Sequence, residues 1–398
     1  MKVIPAIEGG KATRDNFLPF ARPLIDKKDI EEVVDTLNSD WLTTGPKTHL
    51  FEEEFAKYIG CKYAVAVNSC TAALHISLAA LEVGKGDEVI TTPYTFVSAV
   101  NVILQQGAMP VFVDIKSDTF NINPDLIREK INDKTKALIP VHFGGQPCDM
   151  GKIMKIAKDN NLLVIEDAAH AISAEYEGRK IGIIGDATSF SFYPTKNMTT
   201  GEGGMVTTND EKLRERLKIW SLHGISKDAW KRYSAEGSWY YEVVCPGYKY
   251  NMTDIQASLG LQQLEKLNCF QRKREKIVKA YDGAFKDMKE ITIPFVKDNI
   301  KHAWHLYVIK IVSEKLKINR NQFIEALKAE NIGTSVHFIP VHLHPYYRDT
   351  YGFKRGDFPN TEYAFDRVIS LPLFPKMNDE DVKDVIDAVR KIIEYYKK

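Results

Sequence analysis

Lys196 closes the stretch Ser189-Phe-Ser-Phe-Tyr-Pro-Thr-Lys196, and a glycine-rich turn, Gly201-Glu-Gly-Gly204, follows it. It lies in a connection between two strand-like runs, 187–192 and 205–208, where its amine is either simply solvated or held for imine chemistry. A second run ends in Asn68-Ser-Cys-Thr71 and passes straight into a helical stretch. Free amides and the helix dipole can bind phosphate at such a place, although a plain Ser or Thr N-cap would read the same. A third run ends in Val164-Ile-Glu-Asp167, with Ala168-Ala-His170 behind it. A carboxylate at that depth needs a partner, which is either an ordinary ion pair or the protonated ring nitrogen of pyridoxal phosphate. Thr92-Pro-Tyr-Thr-Phe96 brings aromatic rings to the same sheet edge, and Phe96 either stacks on a flat cofactor or joins the core. Together these stretches supply a phosphate cup, a partner for a ring nitrogen, a stacking ring and a lysine for a Schiff base. Neither a nucleotide P-loop nor a dinucleotide fingerprint is present, so the anion need not be ATP or NAD.

The elements that must position these residues alternate. Apolar runs at 63–67, 88–92, 110–115, 137–141 and 162–165 are separated by amphipathic stretches such as 72–81, which argues for a mostly parallel α/β sheet. In such sheets ligands collect at the carboxyl ends of the strands, where each motif above sits. Helices are expected at 27–37 and 50–59. From about residue 261 longer charged helices appear, with strand-like runs at 306–312 and 333–338 and a last helix at 379–395 capped by Asn378. We therefore expect a large domain, residues 1–260 including an N-terminal arm, and a smaller α+β domain, residues 261–398.

The 398 residues carry a net charge of +1 with both signs well mixed, which gives no footprint for nucleic acid or an anionic membrane. No signal-peptide layout and no apolar run near the roughly 20 residues of a membrane helix is seen, so a soluble, cytoplasmic protein is expected. Five cysteines without C-x-x-C spacing suggest neither disulfides nor zinc. His337, His342 and His344 crowd one segment without an H-E-x-x-H pattern, so no metal site is expected.

The motifs Trp41-Leu-Thr-Thr-Gly-Pro, Asn68-Ser-Cys-Thr-Ala-Ala-Leu, Gly86-Asp-Glu-Val-Ile-Thr-Thr-Pro, Pro140-Val-His-Phe-Gly-Gly, Glu166-Asp-Ala-Ala-His, Ser189-Phe-Ser-Phe and Gly201-Glu-Gly-Gly-Met follow one another over nearly the whole chain. In this it resembles the sugar aminotransferases of the DegT/DnrJ/EryC1/StrS family, fold-type I enzymes dependent on pyridoxal phosphate. The resemblance implies that Lys196 forms the Schiff base, Asp167 holds the pyridine nitrogen, Phe96 stacks on the ring and His170 lies beside it. Ser69, Cys70, Thr71 and Ser191 would surround the phosphate. Cys70 stands where many relatives have Gly or Ala, and there it either crowds the phosphate or offers only its amide. Relatives that dehydrate sugars replace the lysine by histidine, so Lys196 favours transamination.

Pro246-Gly-Tyr-Lys-Tyr-Asn251 matches a family segment whose asparagine reaches the phosphate in the neighbouring subunit, which implies a homodimer with shared sites and makes 226–244 a candidate crossing loop. Thr44, His305 and His342 match positions on the substrate side. These stretches and the asparagine segment are most similar to those of the UDP-4-amino-4-deoxy-L-arabinose aminotransferases and other enzymes aminating carbon 4 of UDP-linked 4-keto sugars, with L-glutamate as donor and 2-oxoglutarate released. An aminotransferase for a cyclitol or another ketone, and a silent cofactor-binding regulatory protein, are the alternatives.

Overall fold

The computed structural model describes residues 3–226 and 240–398. Strands and helices alternate as α1 (Lys27–Asn38), α2 (Pro46–Ile59), β1 (Tyr63–Val67), α3 (Cys70–Ala80), β2 (Glu88–Thr91), α4 (Ser98–Gln105), β3 (Met109–Phe112), β4 (Thr135–Leu138), α5 (Met150–Asp159) and β5 (Leu163–Asp167). A small hairpin, β6 (Glu175–Tyr176) and β7 (Arg179–Lys180), precedes β8 (Ala187–Ser191), β9 (Gly204–Thr208) and α6 (Glu211–Ser221). Seven of these strands form one sheet in the order β1-β9-β8-β5-β4-β2-β3. The neighbours from β8 to β3 are all parallel, and β9 runs antiparallel to both β8 and β1. Only β9 is therefore reversed, as a mostly parallel sheet predicts.

Both sheet faces are covered, so β8 and β9 are buried throughout and read as continuous runs. Phe51, Phe55, Phe190, Phe192 and Met205 pack on one side; Val65, Val67, Leu74, Ala187 and Val206 pack with α3 on the other. The register sets Val67 and Ser191 on either side of Gly204, and Asp167 beside Ser189. One end of the sheet thus collects the carboxyl ends of β1, β5 and β8 with the start of β9.

The long helix α7 (Asp254–Phe285) leads into β10 (Ile291–Thr292), β11 (Ile300–Lys301), β12 (Tyr307–Ile311), α8 (Arg320–Ala329), α9 (Pro345–Tyr351), α10 (Pro359–Phe365), β13 (Val368–Leu371) and α11 (Asp379–Tyr396). β10, β12 and β13 form an antiparallel sheet, while β11 extends the β6–β7 hairpin. The division expected between 260 and 261 falls inside α7. Its Leu264 and Leu267 lie in the core of the large sheet, and its Ile277, Tyr281 and Phe285 lie in that of the C-terminal part. The N-terminal arm, expected with the large domain, is anchored elsewhere. Glu330, fully buried, accepts from the Ala6 and Thr13 amides at 2.7 Å each and from Lys391 Nζ at 2.9 Å, and Leu18 packs in the C-terminal core.

Two elements differ from expectation for physical reasons. Segment 333–338 is no strand; its backbone pairs with β13 at a single Ser335–Ser370 bridge, while the His337 carbonyl is taken by Tyr94 Oη at 2.7 Å and its ring by Ser370 Oγ at 2.8 Å. Helix α2 begins at Pro46, four residues earlier than the pattern suggests. Pro46 at its first position suits a helix start, and a distant carboxylate caps it. Asp254 Oδ1 accepts from the amides of Gly45 (2.8 Å) and Thr48 (2.9 Å) and from Thr48 Oγ1 (2.6 Å), and Oδ2 accepts from the Lys47 amide (3.0 Å).

Asp254→Ala strands three amides, those of Gly45 and Thr48 buried and that of Lys47 partly so, and we expect it to destabilise the protein by about 3 kcal/mol. A thermal or denaturant melt indistinguishable from wild type would contradict this account of the α2 start.

Candidate active site

At the collecting end of the sheet lies a cavity of about 280 Å³ lined by, among others, Ser69, Cys70, Thr71, Phe96, Asp167, His170, Ser191, Lys196 and His305. Nine of the twelve residues expected in the site are therefore brought together. Strand pairing does most of this work. α3 starts directly at the end of β1, and its first amides have no intrahelical acceptor; Ser69 Oγ takes the Ala72 amide at 3.1 Å, leaving those of Cys70 and Thr71 facing the cavity end. Gly204 lies against this turn so closely that a Cβ would meet the Ser69 carbonyl carbon at 2.5 Å and the Cys70 nitrogen at 2.7 Å. A side chain there would fill the cup, so the glycine is required by contact.

Alternation along β5 separates its two carboxylates. Asp167 faces the cavity. Glu166 faces the other way and is saturated, accepting from the Gly185 amide at 2.8 Å, Thr188 Oγ1 at 2.9 Å and His142 Nε2 at 2.9 Å. The Cys148 amide donates to His142 Nδ1, which fixes the proton on Nε2. Asp167 Oδ1 accepts from the Ala169 amide at 3.0 Å, yet burial still raises its pKa. Such a carboxylate gains from an N–H⁺ placed opposite it.

Lys196 is half-buried and lines this cavity. Loss of solvation lowers its pKa to about 8, against the weaker pull of Cys70 and Asp167. The histidines around it are neutral: burial holds His170 and His305 well below the usual range and lowers His337 to about 3. His170 Nδ1 accepts from the Gly144 amide at 3.2 Å, so its proton is on Nε2. Burial also raises the Cys70 thiol well above its ordinary value, which keeps it uncharged. An amine of low basicity, a carboxylate seeking an N–H⁺ and an amide cup fit pyridoxal phosphate in its three functional parts, and the exposed ring of Phe96 adds a face for it.

Three expected residues are elsewhere. His342 is buried in the chain interior with Nε2 3.0 Å from Glu362 Oε1, so it does not line the cavity of its chain. In the histidine-crowded segment it is His337, together with Phe338, that faces inward. Thr44 and Asn251 form a separate cluster. Asn251 Nδ2 donates to Thr44 Oγ1 at 2.7 Å, Lys249 Nζ donates to Asn251 Oδ1 at 2.5 Å, and Thr44 Oγ1 donates to the Met252 carbonyl at 2.5 Å. Of the candidate crossing loop 226–244, residues 227–239 lie outside the described residues. Thr95, Ser98, Tyr193 and Glu202 also line the cavity. Their nearness to Phe96, Lys196 and Gly203 was the available signal.

A mostly parallel sheet offering this lysine, carboxylate and amide cup at one end defines a pyridoxal-phosphate enzyme. Residues 23–390 match the model of the DegT/DnrJ/EryC1/StrS aminotransferase family, and the chain belongs to that family. It is 60% identical over 380 residues to the protein MJ1066 of Methanocaldococcus jannaschii, covering 96% of this chain and 98% of that one. To the spore coat polysaccharide biosynthesis protein SpsC of Bacillus subtilis it is 55% identical over 381 residues, with the same coverage of each. Among solved structures, Spr1654 of Streptococcus pneumoniae, assigned as a sugar aminotransferase, superposes in its pyridoxamine phosphate form with a TM-score of 0.90 at 38% identity, covering 95% of this chain and 99% of that one. Its pyridoxal phosphate form superposes with a TM-score of 0.88 at 37% identity, with the same coverage of each. The protein is an aminotransferase of this family with pyridoxal phosphate as its cofactor, and among the described residues no helix is long and apolar enough to cross a membrane.

Because the folded pKa of Lys196 is depressed, the unfolded chain binds the extra proton between about 8 and the ordinary lysine value. Cofactor-free protein should therefore gain stability as pH rises through that window, and Lys196→Met should lose the trend. Borohydride reduction of the loaded protein should fix the cofactor on the peptide containing Lys196. A reduced label on any other lysine would displace it from its role.

Proposed function

We propose that the enzyme moves the amino group of L-glutamate to a 4-keto sugar carried on a nucleotide, UDP being the carrier the sequence motifs favour, in two half-reactions in the cytoplasm. The observation that carries the aminotransfer chemistry is Lys196, a cavity amine whose pKa is near 8, beside buried Asp167. Bound pyridoxal phosphate supplies an electron sink for the carbon that loses its proton. Lys196 serves as base and acid there, since about a tenth of an amine with that pKa is neutral at pH 7, enough to take a proton and return it. Asp167 holds a proton on the ring nitrogen. His170, neutral with its proton on Nε2, is a hydrogen-bond donor to the site and adds no charge to it. Phe338 stacks on His170 with ring centroids 5.7 Å apart and walls the cavity from water. The cavity of about 280 Å³ is of a size to take the cofactor, and the nucleotide would lie at its mouth, where Phe96 and Tyr193 are exposed. The names of SpsC and Spr1654 support a sugar acceptor.

The proposed assembly is a homodimer in which Asn251 and Thr44 serve the partner's site. Support comes from their position outside the cavity of their own chain and from α1, whose Ile30, Val34 and Leu37 are exposed at helical spacing along one face. The segment before α7 also lies along the edge of β1, with the Asn68 amide donating to the Tyr250 carbonyl at 2.8 Å.

The pyridoxamine form, offered a panel of UDP-, dTDP- and GDP-linked 4-keto sugars and a keto-cyclitol, should return to its aldehyde form fastest with a UDP sugar. Response to the cyclitol alone would overturn the substrate assignment and leave the transamination chemistry standing. Mixed Lys196→Ala and Asn251→Ala chains should form hybrid dimers with one intact site and recover activity that both homodimers lack. Absence of recovery despite demonstrated subunit exchange would place Asn251 in its own chain's chemistry.

A further inference from the structure

Arg274, in the second half of α7, is 2% exposed, and among the described residues it has no carboxylate within ion-pair distance. Burial alone lowers its pKa to about 9. Burying an ion without a counter-ion costs several kcal/mol, so the site it occupies must use its donors. Those of Nη1 are spent on two irregular stretches, 304–305 and the one after β13, while Nε is buried with no partner in the protein. Nη1 donates to the carbonyls of Trp304 (3.1 Å), His305 (3.3 Å) and Leu373 (2.7 Å).

The carbonyls just before 304–305 are taken in turn. Gln271, one helical turn earlier, donates Nε2 to the His302 carbonyl at 2.9 Å, and Asn197, next to Lys196, donates Nδ2 to that of Ala303 at 2.6 Å. Four consecutive carbonyls, from 302 to 305, are thus held by three side chains. The segment needs them, because Trp304 has a positive φ of 47° and none of its residues belongs to a strand or helix. From the opposite side Gly145 presses on it, with a φ of +102° and room for a Cβ only 3.0 Å from the Trp304 nitrogen and the His170 carbonyl oxygen.

What this clamp holds is His305, whose ring lines the catalytic cavity 4.3 Å from that of His170 and whose Nδ1 is buried without a hydrogen-bond partner in the protein. We infer that Arg274 is a positioning residue of the aminotransferase: through the Trp304 and His305 carbonyls it fixes the place of the His305 imidazole in the cavity wall, where the ring faces the bound amino donor or sugar. The inference rests on the proposed reaction only for the identity of that ligand.

The test is a double-mutant cycle on the glutamate half-reaction, followed by cofactor absorbance, with Arg274→Gln, His305→Ala and both together. Each single change should slow the half-reaction at least about tenfold, the scale of misplacing a group by a fraction of an ångström. If Arg274 acts through His305, the double variant should be no slower than the slower single one. Multiplying losses would overturn the inference and leave Arg274 as a general stabiliser, and so would an unimpaired His305→Ala. Arg274→Lys, which keeps the charge with fewer directed donors, carries the same cycle should the glutamine variant not fold. A second readout needs no turnover: the His305 imidazole nitrogen resonances of the cofactor-free protein should shift in Arg274→Lys while those of His142, equally buried but not clamped by Arg274, stay in place. Unmoved His305 resonances would overturn the inference. No reaction of wild type with glutamate, alongside a shifted His305 resonance, would instead fault the choice of donor.

Discussion

An amine and a carboxylate held together out of water are what the rest of this structure depends on. Neither Lys196 nor Asp167 keeps its ordinary affinity for protons, and both depart for the same reason, desolvation at the end of a sheet covered on both faces. In water the lysine would be almost wholly charged at neutral pH and the aspartate indifferent to a weak base nearby. The fold therefore creates the reactivity by what it excludes: neutral histidines, an uncharged thiol and aromatic rings line the cavity together with Glu202, and among the described residues no second lysine or arginine lines it.

Sheet register then decides which residues share that environment. Placing Val67, Gly204 and Ser191 side by side brings an amide cup, a side-chain-free strand start and a serine to one point, while strand alternation turns Glu166 away from Asp167 and locks it against His142. Two adjacent carboxylates in sequence thereby acquire separate duties. One is structural and saturated, the other open to a ligand.

This division explains how much could be read beforehand. Strand ends, the helix that starts at Cys70 and the lysine after Ser189-Phe-Ser-Phe are local patterns, so the α/β class was legible from them, and with the family resemblance so were nine residues that line the cavity. His337 was not separable from His342, because both stand in a segment without clean periodicity, and what distinguishes them is contact: Glu362 captures one ring, while Tyr94 and Ser370 aim the other. The start of α2 and the anchoring of the arm were equally hidden, since Asp254 and Glu330 act on residues far away in the chain. Arg274 showed no signal at all in the sequence, where an arginine on a charged helix reads as solvated.

The reversal of β9 has a kinetic side. Because β8 and β9 are antiparallel neighbours joined by the Lys196 loop, they form a local hairpin, a kind of contact that closes in microseconds, whereas parallel pairing must wait for distant segments to meet. The loop bearing Lys196 can be framed early in folding, before α3 arrives from far upstream to complete the cup. Its amine would lose its ordinary basicity only afterwards, once the completed sheet has taken it out of water.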